Sequence, residues 1–295
     1  MKSGPSAKVL ITGAQGQVGR ELQDTAPAGW HVIACGSREL DVTSAEAVRT
    51  VMERERPAVV MQVAAYTDVD RAEMEVDQAR AVNVTGALNV SAGATLIGAR
   101  IIHLSTDFVF DGNQDHPYTP DSPANPLSVY GRTKLAGEQE VVRASLGAAL
   151  IVRTAWVYSV HGRNFVRTML RLMKEQPSVQ VVHDQVGTPT WGRALAEALW
   201  RAADDPSLRG IVHWTDAGVA SWYDFAMAIQ EEALALGLLP KPVSVCPIRS
   251  EEFPAAARRP RYSVLDKSSG WAALGGPARH WRENLRSMLQ GLARA

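Results

Sequence analysis

The sequence predicts an α/β protein with a doubly wound parallel sheet and a smaller, partly interleaved C-terminal lobe. Two observations lead to this fold class. Short, continuously apolar runs alternate along the chain with longer segments of helical periodicity, as happens where crossover helices cover both faces of a parallel sheet. The runs also lack the polar–apolar alternation of strands that have one face in water, which disfavours a β-sandwich.

Seven apolar runs are candidate strands, and most of them lie in the first half of the chain. They are residues 8–12, 31–34, 58–64, 100–105, 149–153, 179–183 and 211–214. The regular alternation weakens beyond residue 155, where most of the tryptophans lie. We therefore expect residues 1–155 to form the sheet domain and residues 156–295 to form mainly the second lobe. The strands near 179–184 and 211–214 are expected to add to the first sheet.

Helices are expected between the strands. One should contain Leu22, and another should run through residues 87–94. Between the second and third strands, Thr43 and Glu46 have the spacing of a capping box, which places a helix start at Thr43. Pro57 marks the end of this helix.

Composition and charge exclude several classes of protein. Of 295 residues, 46% are hydrophobic and 21% are charged, which is ordinary for a globular protein and argues against disorder. Lysine plus arginine and aspartate plus glutamate both number 31, so the chain lacks the basic field of a nonspecific nucleic-acid binder. No apolar run reaches the ~18 residues of a membrane helix, and residues 1–7 lack the apolar stretch of a signal peptide. Because Cys35 and Cys246 cannot build a disulfide framework, we expect a cytoplasmic protein. The balanced charge and the absence of a long apolar run predict that its partners include neither nucleic acid nor a membrane.

A glycine-rich turn, TGAQGQVG at residues 12–19, separates the first strand from the first helix. Gly13 permits the tight turn, Gly16 lets the backbone approach a pyrophosphate, and Gly19 allows close packing of helix on strand. The helix that follows offers free N–H groups and the positive end of its dipole to phosphates. Its place directly after the first strand favours a dinucleotide site in a Rossmann-type domain over a plain glycine turn, although the spacing departs from the common G-x-G-x-x-G.

Ser37 and Arg38 follow the second strand, whose end meets the adenosine ribose in this fold. An acidic residue there suits a free 2′-hydroxyl, whereas arginine suits a 2′-phosphate. The pair therefore favours NADPH as the cofactor. NADH stays open, because Arg38 reads equally well as a solvated surface charge.

Tyr130 and Lys134 are four residues apart, so their side chains share one face of a helix. A neighbouring ammonium stabilises a phenolate and lowers the pKa of tyrosine from ~10 towards the neutral range. The fourth strand leads to Thr106, on the carboxyl edge of the sheet where ligands bind in open α/β folds. A hydroxyl there can orient a carbonyl oxygen beside the tyrosine. With the glycine turn, these three residues predict one hydride-transfer site.

These motifs resemble those of the extended short-chain dehydrogenase/reductase family, and within it those of the dTDP-4-dehydrorhamnose reductases. The resemblance covers nearly the whole chain. In the first lobe it includes TGAQGQVG (12–19), LDVT (40–43), AAYTDVDRAE (64–73), STDFVFDG (105–112) and YGRTKLAGE (130–138). In the second lobe it includes RTAWVYS (153–159), NFVRTMLRL (164–172), DQVGTPT (184–190), SWYDFA (221–226) and RRPRYSVLD (258–266). It implies an NADP-binding first lobe and a second lobe that binds mainly the nucleotide sugar.

The resemblance also implies which residues meet the cofactor. They are Gly16, Gln17 and Val18 at the pyrophosphate, Asp41 and Val42 at adenine, and Ala64, Ala65 and Tyr66 at the nicotinamide. Tyr130 would donate the proton. Lys134 would adjust the pKa of Tyr130 and bind the ribose.

On the substrate side, the resemblance implies that Thr106, Asp107 and Trp156 contact the sugar. Arg259 is expected to pair with the diphosphate of the substrate, since a guanidinium matches phosphate oxygens bidentately. The alternative for the basic run around it is a solvated surface.

The implied reaction is NADPH-dependent reduction of the C4 carbonyl of dTDP-4-dehydro-L-rhamnose to give dTDP-L-rhamnose. Two alternatives stay open: a reductase or epimerase of another nucleotide sugar, and a non-catalytic regulatory subunit of the same fold. Intact Thr106, Tyr130 and Lys134 argue against the regulatory subunit. Some family members form magnesium-linked dimers; a homodimer is compatible with this sequence, and no residue is assigned to magnesium or another metal.

Overall fold

A six-stranded parallel sheet forms the centre of the computed structural model, which describes residues 7–294. The strands are β1 (Ala7–Thr12), β2 (Trp30–Cys35), β3 (Val59–Gln62), β4 (Arg100–Thr106), β5 (Leu150–Thr154), β6 (Val157–Tyr158), β7 (Ser178–Val182), β8 (Val186–Gly187), β9 (Thr190–Trp191), β10 (Gly210–His213), β11 (Ala220–Ser221) and β12 (Ser244–Ile248). The order across the central sheet is β10-β5-β4-β3-β1-β2. The order reverses beside β1, so the carboxyl ends of β1 and β3 flank the crevice where ligands bind in such sheets.

The two late strands that the sequence adds to this sheet have different outcomes. β10 does join it, in parallel with β5. The expectation for 179–184 is wrong: β7 pairs in parallel with β12 in a separate two-stranded sheet. The physical reason is that Val179 and Val181 pack into the apolar core of the second lobe, with Phe225 and Leu285.

Helices flank the central sheet and build most of the second lobe. They are α1 (Gln17–Asp24), α2 (Ala45–Glu55), α3 (Val69–Ala72), α4 (Val76–Arg80), α5 (Gly86–Leu96), α6 (Val129–Ala144), α7 (Phe165–Glu175), α8 (Gly192–Asp204), α9 (Trp222–Ala235), α10 (Ser268–Ala273) and α11 (Trp281–Arg294), with a π-helix at Ala81–Thr85 and short 3-10 turns at Asp107–Val109 and Ser250–Glu252. Within residues 7–294, no helix combines the length and the apolar character needed to cross a membrane.

The start of α2 differs from the capping box expected at Thr43. Ser44 is the N-cap, and its side chain accepts a hydrogen bond from Ala47 N at 3.2 Å. The Thr43 hydroxyl instead donates to Asp41 Oδ1 at 2.7 Å. The local turn made by this aspartate therefore takes Thr43 out of the cap.

Each face of the central sheet is buried under a separate apolar layer. On one face, Val9 and Ile11 of β1 pack with Leu195 and Leu199 of α8. On the other, Leu10 of β1 packs in a cluster that α2 and α5 complete. Alternate residues of a strand thus enter different layers, and chain from the second half covers one face of the first-half sheet.

Candidate active site

A cleft of about 760 Å³ opens at the carboxyl ends of β1, β3 and β4 and is closed on its far side by the second lobe. It brings together almost all of the residues that the sequence assigns to a site. Those that line it are Gly13, Gly16, Gln17, Val18, Gly19, Ser37, Asp41, Val42, Ala64, Ala65, Tyr66, Thr106, Asp107, Tyr130, Lys134, Trp156 and Arg259. Their individual roles stay predictions.

The glycine turn places an uncapped helix start at one end of the cleft. Gly13 has a φ of +67°, and a Cβ built there would lie 2.6 Å from Ala64 Cα, so a side chain would separate β1 from the loop after β3. Gly16 is the N-cap of α1 and makes no side-chain cap, and within residues 7–294 no side chain accepts from the first N–H groups of that helix. These free donors and the helix dipole fit the pyrophosphate of a dinucleotide.

At the adenosine end of the cleft, the turn after β2 sets the positions of Ser37, Arg38 and Asp41, and the role of Arg38 at a 2′-phosphate stays a prediction. Ser37 and Asp41 line the cleft, whereas Arg38 is exposed and lies outside its lining. A tight turn after β2 is the reason: Gly36 N donates to Glu39 Oε2 at 2.9 Å, and Leu40 N donates to Gly36 O at 3.0 Å. This turn leaves Arg38 at its exposed tip.

Tyr130 and Thr106 meet at the end of β4. Tyr130 lies in the first turn of α6, whose N-cap Ser128 accepts from Gly131 N at 3.1 Å. Thr106 caps the 3-10 turn after β4 and accepts from Phe108 N at 3.2 Å. The Thr106 hydroxyl also lowers the pKa of the Tyr130 phenol. A phenol and a strand-end hydroxyl therefore line the same cleft.

The ionisation of the Tyr130–Lys134 pair differs from the sequence expectation. Burial raises the pKa of Tyr130 to about 12, and the neighbouring Thr106 hydroxyl offsets only part of that shift. Lys134 Nζ donates to Leu104 O at 2.8 Å. A phenol with this pKa keeps its proton at neutral pH and can act as a donor. Burial also lowers the pKa of Lys134 to about 8, with the negative charge of Glu138 opposing that shift.

A buried ion pair beneath Lys134 was not predicted from the sequence. Glu138 lies one turn after Lys134 on α6, and its Oε2 accepts from Arg153 Nη2 at 2.7 Å. Glu138 Oε1 accepts from Arg153 Nε at 2.9 Å and from Ser105 Oγ at 2.5 Å. The fork joins α6 to β4 and β5. The spacing of Lys134 and Glu138 gives only their common helix face, whereas the partner Arg153 comes from another element.

Asp107 lies next to Thr106 and is buried at the floor of the cleft. Burial raises the pKa of its carboxyl group to about 6, while the Ser263 and Thr106 hydroxyls act in the opposite direction. Its Oδ1 accepts from Thr106 Oγ1 at 3.1 Å.

On the opposite wall, Trp156 stacks on Trp222 with ring centroids 3.5 Å apart and planes 5° apart. Trp156 has a φ of +47°, a left-handed conformation that is uncommon for a bulky residue and is often associated with functional sites. A Cβ on Gly187 would lie 2.6 Å from the Trp156 indole, so Gly187 makes room for the stack. Trp222 was missed from the sequence; its segment SWYDFA contributes to the resemblance, but periodicity could not place it in the cleft.

Arg259 lines the cleft while held by the first lobe. Its Nη2 lies 2.5 Å from Asp70 Oδ2, and its Nη1 donates to Asp70 Oδ1 at 3.1 Å. Ala257 N donates to the same carboxylate at 3.0 Å. The ion pair lowers the pKa of Asp70 against the raising effect of burial.

Comparison with known proteins places this cleft in a family. Residues 7–294 match the family described as RmlD substrate binding domain. The chain belongs to this RmlD family. Among similar RmlD-type proteins, dTDP-4-dehydrorhamnose reductase of Streptomyces griseus is 42% identical over 294 residues, which cover 98% of this chain and 95% of the relative.

Two further relatives bear on the chemistry. A Streptomyces antibioticus protein named "Probable dTDP-4,6-dihydroxy-2-methyloxan-3-one 4-ketoreductase" is 42% identical over 280 residues, covering 94% of this chain and 92% of the relative. A crystal structure of dTDP-4-dehydrorhamnose reductase from Bacillus anthracis in complex with NADP has a TM-score of 0.91 and 36% identity, covering 97% of this chain and 99% of the other. The Rossmann-type fold of this RmlD-family chain is thereby confirmed.

Proposed function

We propose that this protein is an NADPH-dependent oxidoreductase that reduces the C4 carbonyl of dTDP-4-dehydro-L-rhamnose to give dTDP-L-rhamnose. The observation that carries the proposal is the convergence of Thr106, Tyr130 and Lys134 at the end of β4, in the cleft that begins at the glycine turn. Relatives that match nearly the whole chain have the same activity in their names, and one was crystallised with NADP.

When bound, the cofactor supplies a hydride to C4 of the sugar. Tyr130, protonated at neutral pH, donates its proton to the oxygen that becomes an alkoxide. The Thr106 hydroxyl orients that oxygen, and the charge of Lys134 favours the phenolate that Tyr130 becomes. The second lobe closes the cleft with Trp156 and Arg259, which suit a sugar and a diphosphate.

The test of this function is Tyr130→Phe, which removes the donated proton and keeps the ring. Turnover of dTDP-4-dehydro-L-rhamnose, measured as NADPH oxidation, should fall by at least about a hundredfold, the contribution of general acid catalysis. NADPH binding, measured by calorimetry, should persist. Tyr223→Phe, on α9 outside the cleft lining, is the matched control and should keep full turnover. Normal turnover in Tyr130→Phe would remove the proton-donor role.

A 4-ketoreductase of another dTDP sugar is the second candidate, favoured by the Streptomyces antibioticus relative. A panel of dTDP- and GDP-linked 4-keto sugars, assayed for NADPH oxidation, separates the two by the ratio of kcat/KM. An epimerase would change the sugar with no net oxidation of NADPH.

We also propose that the protein works in the cytoplasm, as a homodimer. The free thiols of Cys35 and Cys246 suit a reducing compartment. Light scattering at several concentrations measures the oligomeric state.

A further inference from the structure

The loop of residues 159–164, between β6 and α7, belongs to the second lobe but lies along α1, from its first residue to its last. Ser159 Oγ donates to Glu21 Oε1 at 2.6 Å, and both side chains are buried. Asn164 Nδ2 donates to Gln17 Oε1 at 3.0 Å. His161 Nε2 lies 2.7 Å from Asp24 Oδ2. Three side-chain contacts therefore fasten this loop to the helix that begins at the glycine turn.

The 159–164 loop is also braced internally. Asn164 Nδ2 donates to Ser159 O at 2.7 Å, and His161 N donates to Ser159 Oγ at 2.9 Å. Gly162 has a φ of +65°, and a Cβ there would lie 3.3 Å from Gln17 Cγ. The turn before Arg163 thus runs close beside Gln17, the first residue of α1, and its position is fixed by contacts that do not involve Arg163.

Arg163 is the residue that this loop contributes to the cleft lining. Its side chain makes no ion pair or hydrogen bond with any residue between 7 and 294. The other basic side chains in the lining are engaged: Lys134 donates to Leu104 O, and Arg259 is paired with Asp70. A guanidinium that is exposed, uncompensated and presented by a braced loop is available for an anionic ligand.

We propose that Arg163 binds the pyrophosphate of the nicotinamide dinucleotide and so completes the phosphate site from the second lobe. The inference rests on the proposed function, in that it takes the ligand to be a nicotinamide dinucleotide. The contacts of its loop with Gln17 put Arg163 beside the uncapped start of α1, where the free N–H groups favour the pyrophosphate. Two neighbouring phosphates also match the fork of a guanidinium.

The experiment measures dissociation constants of NADPH and of NADH by calorimetry, in the absence of a sugar. Arg163→Ala should weaken both by a similar factor of about ten, since NADPH and NADH share the pyrophosphate. The dissociation constants of Arg163→Lys should lie between those of the wild-type protein and of Arg163→Ala, because an ammonium keeps the charge and loses the bidentate geometry of a guanidinium. The difference should shrink at high ionic strength. Arg171→Ala is the matched control: Arg171 is exposed on α7, pairs with Glu175, and lies outside the cleft lining, so both constants should stay unchanged.

Two results would overturn this assignment. Unchanged constants for Arg163→Ala would make Arg163 a solvated surface charge. A loss confined to NADPH would place Arg163 at the 2′-phosphate and not at the pyrophosphate. Failure of the proposed function would be distinguishable from both results, because it would appear in the wild-type protein. The wild-type protein would then bind a dinucleotide without reducing the sugar, or would bind neither NADPH nor NADH.

Discussion

Lys134 links the buried chemistry of single residues to a measurable pH dependence. Its pKa is lowered to about 8 by burial, while Glu138 on the same helix opposes the shift. His103 on β4 faces it, and that imidazole is held neutral because burial and the charge of Lys134 lower its pKa well below the ordinary value. With a pKa of about 12, Tyr130 keeps its proton across the working range. Asp107 has a pKa of about 6, so Lys134 is the group of this site whose charge changes on the alkaline side of neutral pH.

We expect kcat/KM for the sugar, at saturating NADPH, to fall as the pH rises through about 8. The sign follows from the lowered pKa: above it Lys134 is neutral and no longer favours the phenolate that forms when Tyr130 gives up its proton. Lys267 is the matched control, since burial lowers its pKa to about 8 as well but it lies outside the cleft lining. In Lys267→Met, kcat/KM should still fall as the pH rises through about 8. A level profile to pH 9.5 would contradict the role of Lys134.

Sequence reasoning at this scale succeeds where chain order fixes proximity. Thr106 ends a strand and Tyr130 starts a helix, so a parallel sheet brings them to one edge. Prediction from the sequence fails where the environment of a side chain is set by elements distant in the chain. Burial by the surrounding elements, which spacing does not report, raises the pKa of Tyr130 to about 12. Nothing in the spacing of the loop before α7 indicates that Arg163 faces the first helix.

Among the elements, α6 shows how a buried ion pair can hold catalytic groups in place. Glu138 and Arg153 are both almost completely buried, and their fork fastens the middle of α6 to β4 and β5. The first turn of the same helix presents Tyr130, and the second presents Lys134. Removing one partner of such a pair is costly, because the other charge is left in the interior without compensation.

Glu138→Gln should therefore lower the free energy of unfolding in urea by about 3 kcal/mol, because it leaves the Arg153 guanidinium unpaired. Glu140→Gln is the matched control on the same helix: Glu140 pairs with the exposed Arg143, and its loss should cost less than about 0.5 kcal/mol. Equal stability of the two variants would show that the buried pair contributes no more than a surface pair.

Element prediction from the sequence was limited by the same distinction between local and distant contacts. Apolar runs gave every strand of the central sheet, because a strand buried on both faces needs apolar residues throughout. They could not tell which sheet a strand joins, so β7 was assigned to the wrong one. The start of α2 was missed by one residue because Asp41 competes for the Thr43 hydroxyl.

For the molecule as a whole, the two lobes share a core and do not meet only at a hinge. Helix α8 packs on the face of β1, and Trp200 Nε1 donates to Leu22 O at 3.0 Å. Strand β10 extends the central sheet beside β5. Ser159 and Arg259 reach from the second half of the chain to Glu21 and Asp70 of the first. Unfolding one lobe would expose apolar surface of the other.

This sharing predicts a single unfolding transition that moves as a unit when NADPH binds. At a free concentration of about 100 times its dissociation constant, a ligand of the folded state stabilises by about 2.7 kcal/mol, a shift of about 4 °C in the melting temperature. Calorimetry and tryptophan fluorescence should agree with each other on the midpoint without NADPH, and should agree again on the higher midpoint with NADPH. Sulfate at equal ionic strength is the control for a nonspecific anion effect. Two separate transitions, of which NADPH moves only one, would mean that the shared core of β1 and α8 does not couple the lobes.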